Sequence, residues 1–551
     1  MRESFAVIAD PHLHNVHGNY RAGRIAEECL PDGMELRTLS DTVQSTRLYN
    51  ESEMNFRAVL EDIARRGVRH VIVVGDYSDD GQDESVAASL ALMDDYTDRF
   101  GIRFYSTVGN HDVYGYSGRN LERDFLLADG TSFRVSGMRE DVGDHLVFNP
   151  AMRCRAYADG LPHALGFFRR EGDLHWETPF GLSDVLKDRQ YKVASPDGHN
   201  LRSFIDASYL VEPVRGVWLL AIDANVFVPR DGEAFARAED EFDDSTDAGY
   251  NALVKHRPYL IEWIADVASR ADAQGKRLIS FAHYPAVDPF DGTYEDENRL
   301  FGSTIFVRRT PHHATSAILA QAGLRLHFSG HLHIDNVSCH ESLINVAVPS
   351  TAGYPGGYRL LSLHDGGADL ETVRISGLET NTAILAAYRR EVKYSGLDVG
   401  DLLNSTDFDH FAIRHLREVA RHRFFAREWT TEAREAIGRM TLADLLREAV
   451  APTEPPLAAD MMTELGNIPA MRLMEAIYIV RHNAAWRREM PNTERRVFEA
   501  LSAICMPAEA QGLAATLLRM FARHFDKEDF RHIRFDRNWR IVAKGDGRHA
   551  A

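Results

Sequence analysis

Cysteine is scarce in this chain: four in 551 residues (Cys29, Cys154, Cys339, Cys505), scattered and in no paired spacing. That pattern argues against a structural zinc site and fits a reducing compartment. Long apolar runs are absent as well. No stretch approaches the ~20 apolar residues a membrane span needs, and the apolar part of the N-terminal MRESFAVIADPH is too short for a signal-peptide core. The expectation is a cytoplasmic protein with no membrane partner. Positive charge is outnumbered, with 63 Lys and Arg against 82 Asp and Glu and a formal net charge of −19. Such a surface repels a polyanion, which argues against a long nucleic acid but leaves room for a small phosphate ester held by metals. What is present, 44% hydrophobic and 26% charged residues, is the composition of a globular protein. At this length two or three domains are expected.

Short apolar runs that end in polar, Gly-containing motifs recur through the first two thirds. Ser4–Ala9, Val71–Val74, Phe104–Val108, Val217–Ile222, Leu278–Ala282 and Leu324–Ser329 read as buried strands. Between them Asn55–Arg66, Ser85–Phe100 and Tyr259–Ala273 carry helical spacing. Strands alternating with helices predict an α/β fold with its chemistry at the strand ends. The segment 113–206 is polar and weakly periodic, and reads as an insertion over the site. After about Gly377 helical patterns take over: Phe408–Phe425, Thr431–Val450, Pro469–Arg488, Thr493–Met506 and Gly512–Phe525, with a Pro-rich break at Ala451–Leu457. The domains are thus expected at 1–376 and 377–551, the second all-α. The acidic run Glu239–Asp247 lacks calcium-loop spacing and reads as a solvated loop.

Five motifs carry the chemistry: Asp10-Pro11-His12, Gly75-Asp76-x-x-Asp79, Gly109-Asn110-His111-Asp112, His283, and Gly330-His331-Leu332-His333. Each presents oxygen or imidazole donors at the end of an apolar strand. A mixed His/Asp/Asn set suits a first-row dinuclear centre. Strand alternation would aim Asp10 with His12, and His331 with His333, into one cavity. Singly, each motif has a bland reading: a turn, a helix cap, a packed histidine. Together, in this order and each at a strand end, they do not.

In these motifs the sequence resembles the calcineurin-like metallophosphoesterases, over roughly residues 1–376. The resemblance implies two packed β-sheets flanked by helices, a four-layer α/β/β/α sandwich. It implies a first metal held by Asp10, His12, Asp76 and His333, and a second held by Asp76 as bridge, Asn110, His283 and His331. Manganese and iron are the leading candidates, with zinc a further one. Two cations ~3.5–4 Å apart clamp a phosphoryl group and supply a bridging hydroxide as nucleophile. His111, directly after a ligand, is the candidate to protonate the leaving oxygen. Asp79 is expected to orient that imidazole, and Asp112 either to help or to brace the loop.

Departures narrow the class. Asp80 stands where Ser/Thr protein phosphatases of this superfamily carry Arg, and Asp112 where they carry Glu; Asp79 stands where purple acid phosphatases carry a ligating Tyr. The Gly-Asp-Tyr-Ser-Asp-Asp-Gly loop, the strand ending Ile222-Asp223 and the run Pro349-Ser350…Gly357-Tyr358-Arg359 resemble bacterial class III cyclic nucleotide phosphodiesterases, although His283-Tyr284-Pro285 replaces the His-His-Pro of several such enzymes. The first expectation is therefore hydrolysis of a small phosphate diester, with cyclic nucleotides among the candidates. A phosphomonoesterase or pyrophosphate-cleaving hydrolase is the second. A non-catalytic sensor on a relic site is the third, and would show a missing ligand where none is missing. His14, Tyr284 and Tyr354 are candidates to touch substrate; His312-His313 reads as a helix start without chemistry. The oligomeric state is open, a homo-oligomer included.

Overall fold

The computed structural model describes residues 3–21, 30, 33–139, 146–232, 235–247, 249–450, 457–504, 506–528 and 530–545. Cys29, Cys505 and the Pro-rich break, save Leu457, lie outside them. The first run of apolar residues forms the strand Glu3–Ile8, whose Phe5 to Ile8 are fully buried. A strand apolar on both faces must be covered on both, which is the parallel α/β arrangement. It pairs in parallel with His70–Val73, and that strand in parallel with Arg103–Ser106. On its other side lie Tyr358–His364, Gly367–Val373, His532–Asp536 and Ile541–Gly545, antiparallel in turn. The second seven-stranded sheet runs Asn336–His340, Leu343–Ala347, Leu326–Ser329, Arg277–Phe281, Val217–Ala221, Tyr209–Val214 and His175–Glu177.

The two sheets face each other across one core, in which Phe5, Val7 and Val73 of the first meet Val211, Leu219 and Phe281 of the second. Helices Ser52–Arg65 and Asp83–Phe100 cover the first sheet with Phe56, Leu60, Met93 and Tyr96. Pro258–Ala273 and His313–Gln321 cover the second with Leu260, Ile264 and Leu319. The four-layer sandwich is present, and the motif-bearing strands all end on one side.

The expected C-terminal helical region spans Thr382 to Phe525. Two features were not read from sequence. The first is the helix Thr382–Ser395, capped by Asn381, which accepts the backbone N–H groups of Ala383 and Ile384. The second is the return of the chain to the first sheet: His532–Asp536 pairs with Gly367–Val373 and buries Ile533 and Phe535 in the inter-sheet core. His532–Asp536 is therefore a strand and not a helix, against the expectation of an all-α second domain, because alternating Ile533 and Phe535 complete an apolar sheet face. The helical region also shares a core with Phe290, Phe306, Leu332 and Tyr354 of the sandwich. A fully buried ion pair, Arg481 to Glu297 at 2.8 Å, crosses the same boundary.

Candidate metal centre

The seven expected ligands come together, by a route other than strand alternation. Asp10, His12, Asp76, His331 and His333 all have left-handed backbones, with φ of 48°, 42°, 51°, 69° and 56°. Non-glycine residues in that region carry strain and cluster at functional sites, with His and Asp among the more tolerant. Each strand thus ends in a sharp left-handed turn that throws its side chain inward. The motif glycines make room for these turns. A Cβ on Gly109 would collide with the Asp76 carboxylate, and one on Gly330 would lie 2.5 Å from the Asp10 carboxylate.

The donor atoms converge on two adjoining points. Nε2 of His283 lies 3.0 Å from Oδ1 of Asn110, 3.1 Å from Nδ1 of His331 and 3.1 Å from Oδ2 of Asp76. Its Nδ1 faces the Val74 carbonyl at 3.0 Å, which fixes the tautomer that leaves Nε2 a lone pair. On the other side Nε2 of His12 lies 3.1 Å from Nε2 of His333 and 3.5 Å from the same Asp76 oxygen. Asp10 closes this set, with Oδ1 3.8 Å from His333 and 3.7 Å from His283. Lone pairs aimed at one another repel unless a cation sits between them, so the residues fit two metal ions sharing Asp76. Three of the four imidazoles are held neutral; at His283, against burial, the Asp76 carboxylate pushes the pKa up to about 9, and a bound cation would displace that proton. Burial holds the imidazoles of His12, His331 and His333 well below their ordinary value, hence neutral and able to ligate. Burial also pushes the Asp10 carboxyl up to about 7, which a bound divalent cation reverses.

A model of the calcineurin-like phosphoesterase family matches residues 4–335. The chain belongs to this family. Among solved structures, the phosphoesterase is similar to a dimetal phosphatase from Danio rerio (13% identity, TM-score 0.36, covering 68% of this chain and 97% of that one). It is also similar to a candidate 5'-nucleotidase from Staphylococcus aureus (12%, 0.30, 72% and 60%) and to GAP50, the anchor in the inner membrane complex of Plasmodium (11%, 0.26, 68% and 84%). Among curated proteins none matches. Family membership rests on the family model and the ligand geometry, not on these distant likenesses.

Around the ligands the structure redistributes the expected roles. The backbone N–H of His111 donates to Oδ1 of Asp76 at 2.8 Å, which leaves the other Asp76 oxygen to the metals. The carboxylate on His111 is Asp80, not Asp79: Nδ1 lies 2.6 Å from Asp80 Oδ1. Asp80 is itself held by Arg123, and it stays well below the usual carboxylate range because Arg123 and Arg47 outweigh its burial. Asp79 points the other way, onto Arg37 at 2.9 Å and Arg47 at 3.0 Å. Being adjacent in sequence, the two aspartates diverge by side-chain alternation. Asp112 is a brace: its two oxygens accept the N–H groups of Asp76, Gly109 and Ser78 and the Ser78 hydroxyl, at 2.7–3.2 Å.

The three substrate candidates lie elsewhere. His14 is buried, its Nε2 2.9 Å from the Glu35 carbonyl and its ring stacked on Tyr20. Tyr284 packs against His331, and its single hydroxyl proton is shared between Oδ1 of Asn225 at 2.7 Å and the Ser245 carbonyl at 2.8 Å. Tyr354 donates to Glu489 and borders a separate cavity against the helical region.

A cleft of about 350 Å³ opens over the ligands. Its walls hold arginines that the sequence did not single out: Arg47, Arg119, Arg309, Arg423 and Arg427. The acids of the run 239–247 are all partly or fully exposed, as expected of a loop; the run reaches the cleft through Thr246, and two of its acids hold arginines of the cleft wall. Asp244 pairs with Arg119 at 2.9 Å, Asp247 with Arg309 at 2.9 Å, and Thr246 accepts from the Asn110 amide at 3.2 Å. That last bond turns the Asn110 oxygen toward His283. Only the alternation of acid and hydroxyl in Asp244-Ser245-Thr246-Asp247 could have hinted at it.

Proposed function

We propose that this chain hydrolyses a small phosphate ester at a dinuclear metal centre held by Asp10, His12, Asp76, Asn110, His283, His331 and His333. The observation that carries the reading is the convergence of these side chains on Nε2 of His283 and on Oδ2 of Asp76. Bound there, two metal ions would activate water and neutralise charge on the phosphoryl oxygens. The chain's own residues do the rest. His111 lines the cleft with Nδ1 on the Asp80 carboxylate, and in its imidazolium form, which burial and Arg47 oppose and Asp76 and Asp80 favour, it donates the Nε2 proton to the leaving oxygen. Arg47, clamped by Asp79 and the Tyr49 hydroxyl at 3.1 Å, adds a fixed positive charge over the reacting group. Manganese and iron remain the metals proposed.

For the substrate, hydrolysis of a small diester, cyclic nucleotides included, is the first reading. A monoester or pyrophosphate bond gains support from the walls of the cleft. Tyr49, the aromatic residue among them, carries the guanidiniums of Arg37 and Arg47 on its ring at 4.2 and 4.9 Å, so recognition falls to charge rather than to base stacking. The test is a panel of a nitrophenyl diester, a nitrophenyl monoester, pyrophosphate and a cyclic nucleotide, each with Mn, Fe and Zn. A diester-to-monoester kcat/KM ratio above ~10 supports diester cleavage and one below ~0.1 supports the second reading. Absence of turnover on every substrate by protein carrying two metals refutes the hydrolase.

A further inference from the structure

The cleft arginines are not equivalent. Arg47, Arg119 and Arg309 each face a carboxylate: Asp79, Asp244 and Asp247. Arg423 and Arg427 have no ion-pair partner among the described residues. Both come from the helical region, four residues apart on Ala420–Glu428, a stretch wound as a π-helix that directly continues the α-helix Phe408–Val419. π-Turns are rare and recur at functional sites because they re-aim side chains that an α-helix would place elsewhere. This one is firmly seated: Phe424, next to Arg423, is buried with its ring stacked on Tyr478 at 4.5 Å and against Phe306 at 5.1 Å.

Arg423 also borders, with Thr46 and Arg309, the recess over His331, which places it on the side of the second metal. Its surroundings are unfavourable for a cation. Burial, with Arg309 and Arg47 close by, pulls its pKa down to about 10, and Tyr49 and the Glu428 carboxylate offset this only in part. An unpaired guanidinium held next to two others in an otherwise acidic chain is a cost that folding alone does not explain. A dianionic ligand removes it, and arginine forks are the groups that bind phosphoryl oxygens in bidentate fashion.

We propose that Arg423 and Arg427 form a second anion subsite, which takes a phosphoryl group other than the one being cleaved. The preferred substrate is then a small molecule with two phosphoryl groups, one on the metals and one on the helical region. This rests on the phosphoesterase reading above and adds a role for the C-terminal helices: they select the substrate without supplying a metal ligand.

The experiment uses the full-length, metal-loaded protein and the variant R423Q/R427Q. Steady-state kinetics compare a nucleoside 3',5'-bisphosphate with the 5'-monophosphate, and calorimetry compares inorganic pyrophosphate with inorganic phosphate while metal content is monitored. The wild type should favour the bisphosphate and pyrophosphate. In the variant that preference should collapse by about 10- to 100-fold, through KM and Kd rather than kcat, since removing one charge-assisted hydrogen bond weakens binding by about tenfold. R427Q alone, at an exposed position, should lower it about 3- to 10-fold, which guards against a folding defect in the double variant. Equal losses for one-phosphate and two-phosphate ligands would overturn the subsite in favour of arginines that clamp the scissile group. Unchanged affinities would overturn it as well. If the wild type hydrolyses nothing, the phosphoesterase reading falls, and the pyrophosphate-to-phosphate comparison still decides the subsite.

Discussion

Ending the chain after Phe525 removes the two strands that join the first sheet, and the structure sets the size of the loss. Ile533, Phe535 and Trp539 are 2%, 1% and 6% exposed. At about 1.5–3 kcal/mol for each large apolar side chain withdrawn from water, their burial contributes roughly 4.5–9 kcal/mol. The stacking of Arg277 on Trp539, at 4.3 Å, disappears with them. The deletion also exposes Gly367–Val373 as an unpaired sheet edge, an invitation to aggregate. A total stability of about 5–15 kcal/mol would be largely or wholly offset. Urea titration of the full chain, of residues 1–525 and of Phe535→Ala tests the sum. The point variant should lose about 3–5 kcal/mol, and the truncated chain should unfold at far lower urea or fail to stay soluble. A truncated chain with an unchanged midpoint and slope would refute the claim that the tail is part of the sandwich.

His111→Ala should retain its metals yet lose about 10²–10⁴-fold on a substrate with an alkoxide leaving group, and far less on a nitrophenyl diester. Equal losses on the two substrates would assign His111 to charge stabilisation instead. His415, on helix Phe408–Val419, is buried with Nε2 2.9 Å from the Thr42 carbonyl, and burial lowers its pKa to about 4. The unfolded chain binds this proton below about pH 6.5 and the folded chain only below about 4, so this histidine contributes stability at neutral pH that is lost as the pH falls between those values. The stability advantage of wild type over His415→Gln should therefore shrink by up to about 1.4 kcal/mol per pH unit across that window, read from urea midpoints; a constant difference would refute the neutral buried state.

The sandwich was legible because its strands are unbroken apolar runs, such as Phe5–Ile8 and Val217–Ala221, each followed by a donor-bearing motif. The candidate donors were legible as a group because five motifs bearing Asp, Asn and His each close an apolar strand; that glycines at 109 and 330 leave room for the Asp76 and Asp10 carboxylates emerged only from the structure. The means of convergence was not: five left-handed residues turn the ligands inward, and nothing in Asp-Pro-His or Gly-His-Leu-His distinguishes that from strand alternation. Nor was the choice of Asp80 over Asp79 as the partner of His111, because two adjacent aspartates differ only in which face of the loop they occupy. The arginine walls were invisible for a simpler reason. Arg47, Arg119, Arg309 and Arg423 lie far apart in the chain, and only the packing of the helical region on Phe290 and Phe306 brings the last of them to the cleft. Thr431–Val450, predicted as one helix, is two, Thr431–Arg439 and Leu442–Ala449, because Thr441 and Asp444 form a capping box that starts a new one.

If Asp76 joins two metal sites in one centre, metal analysis of wild type beside Asp76→Ala will show it. Protein produced with supplemented manganese and iron should carry about two transition-metal ions per chain. Asp76→Ala, while still folded, should lose both, because Oδ2 lies beside the donors of each set, 3.5 Å from His12 and 3.1 Å from His283. An Asp76→Ala protein that keeps the wild-type stoichiometry would contradict the shared carboxylate, and a wild type that binds no transition metal would contradict the centre itself.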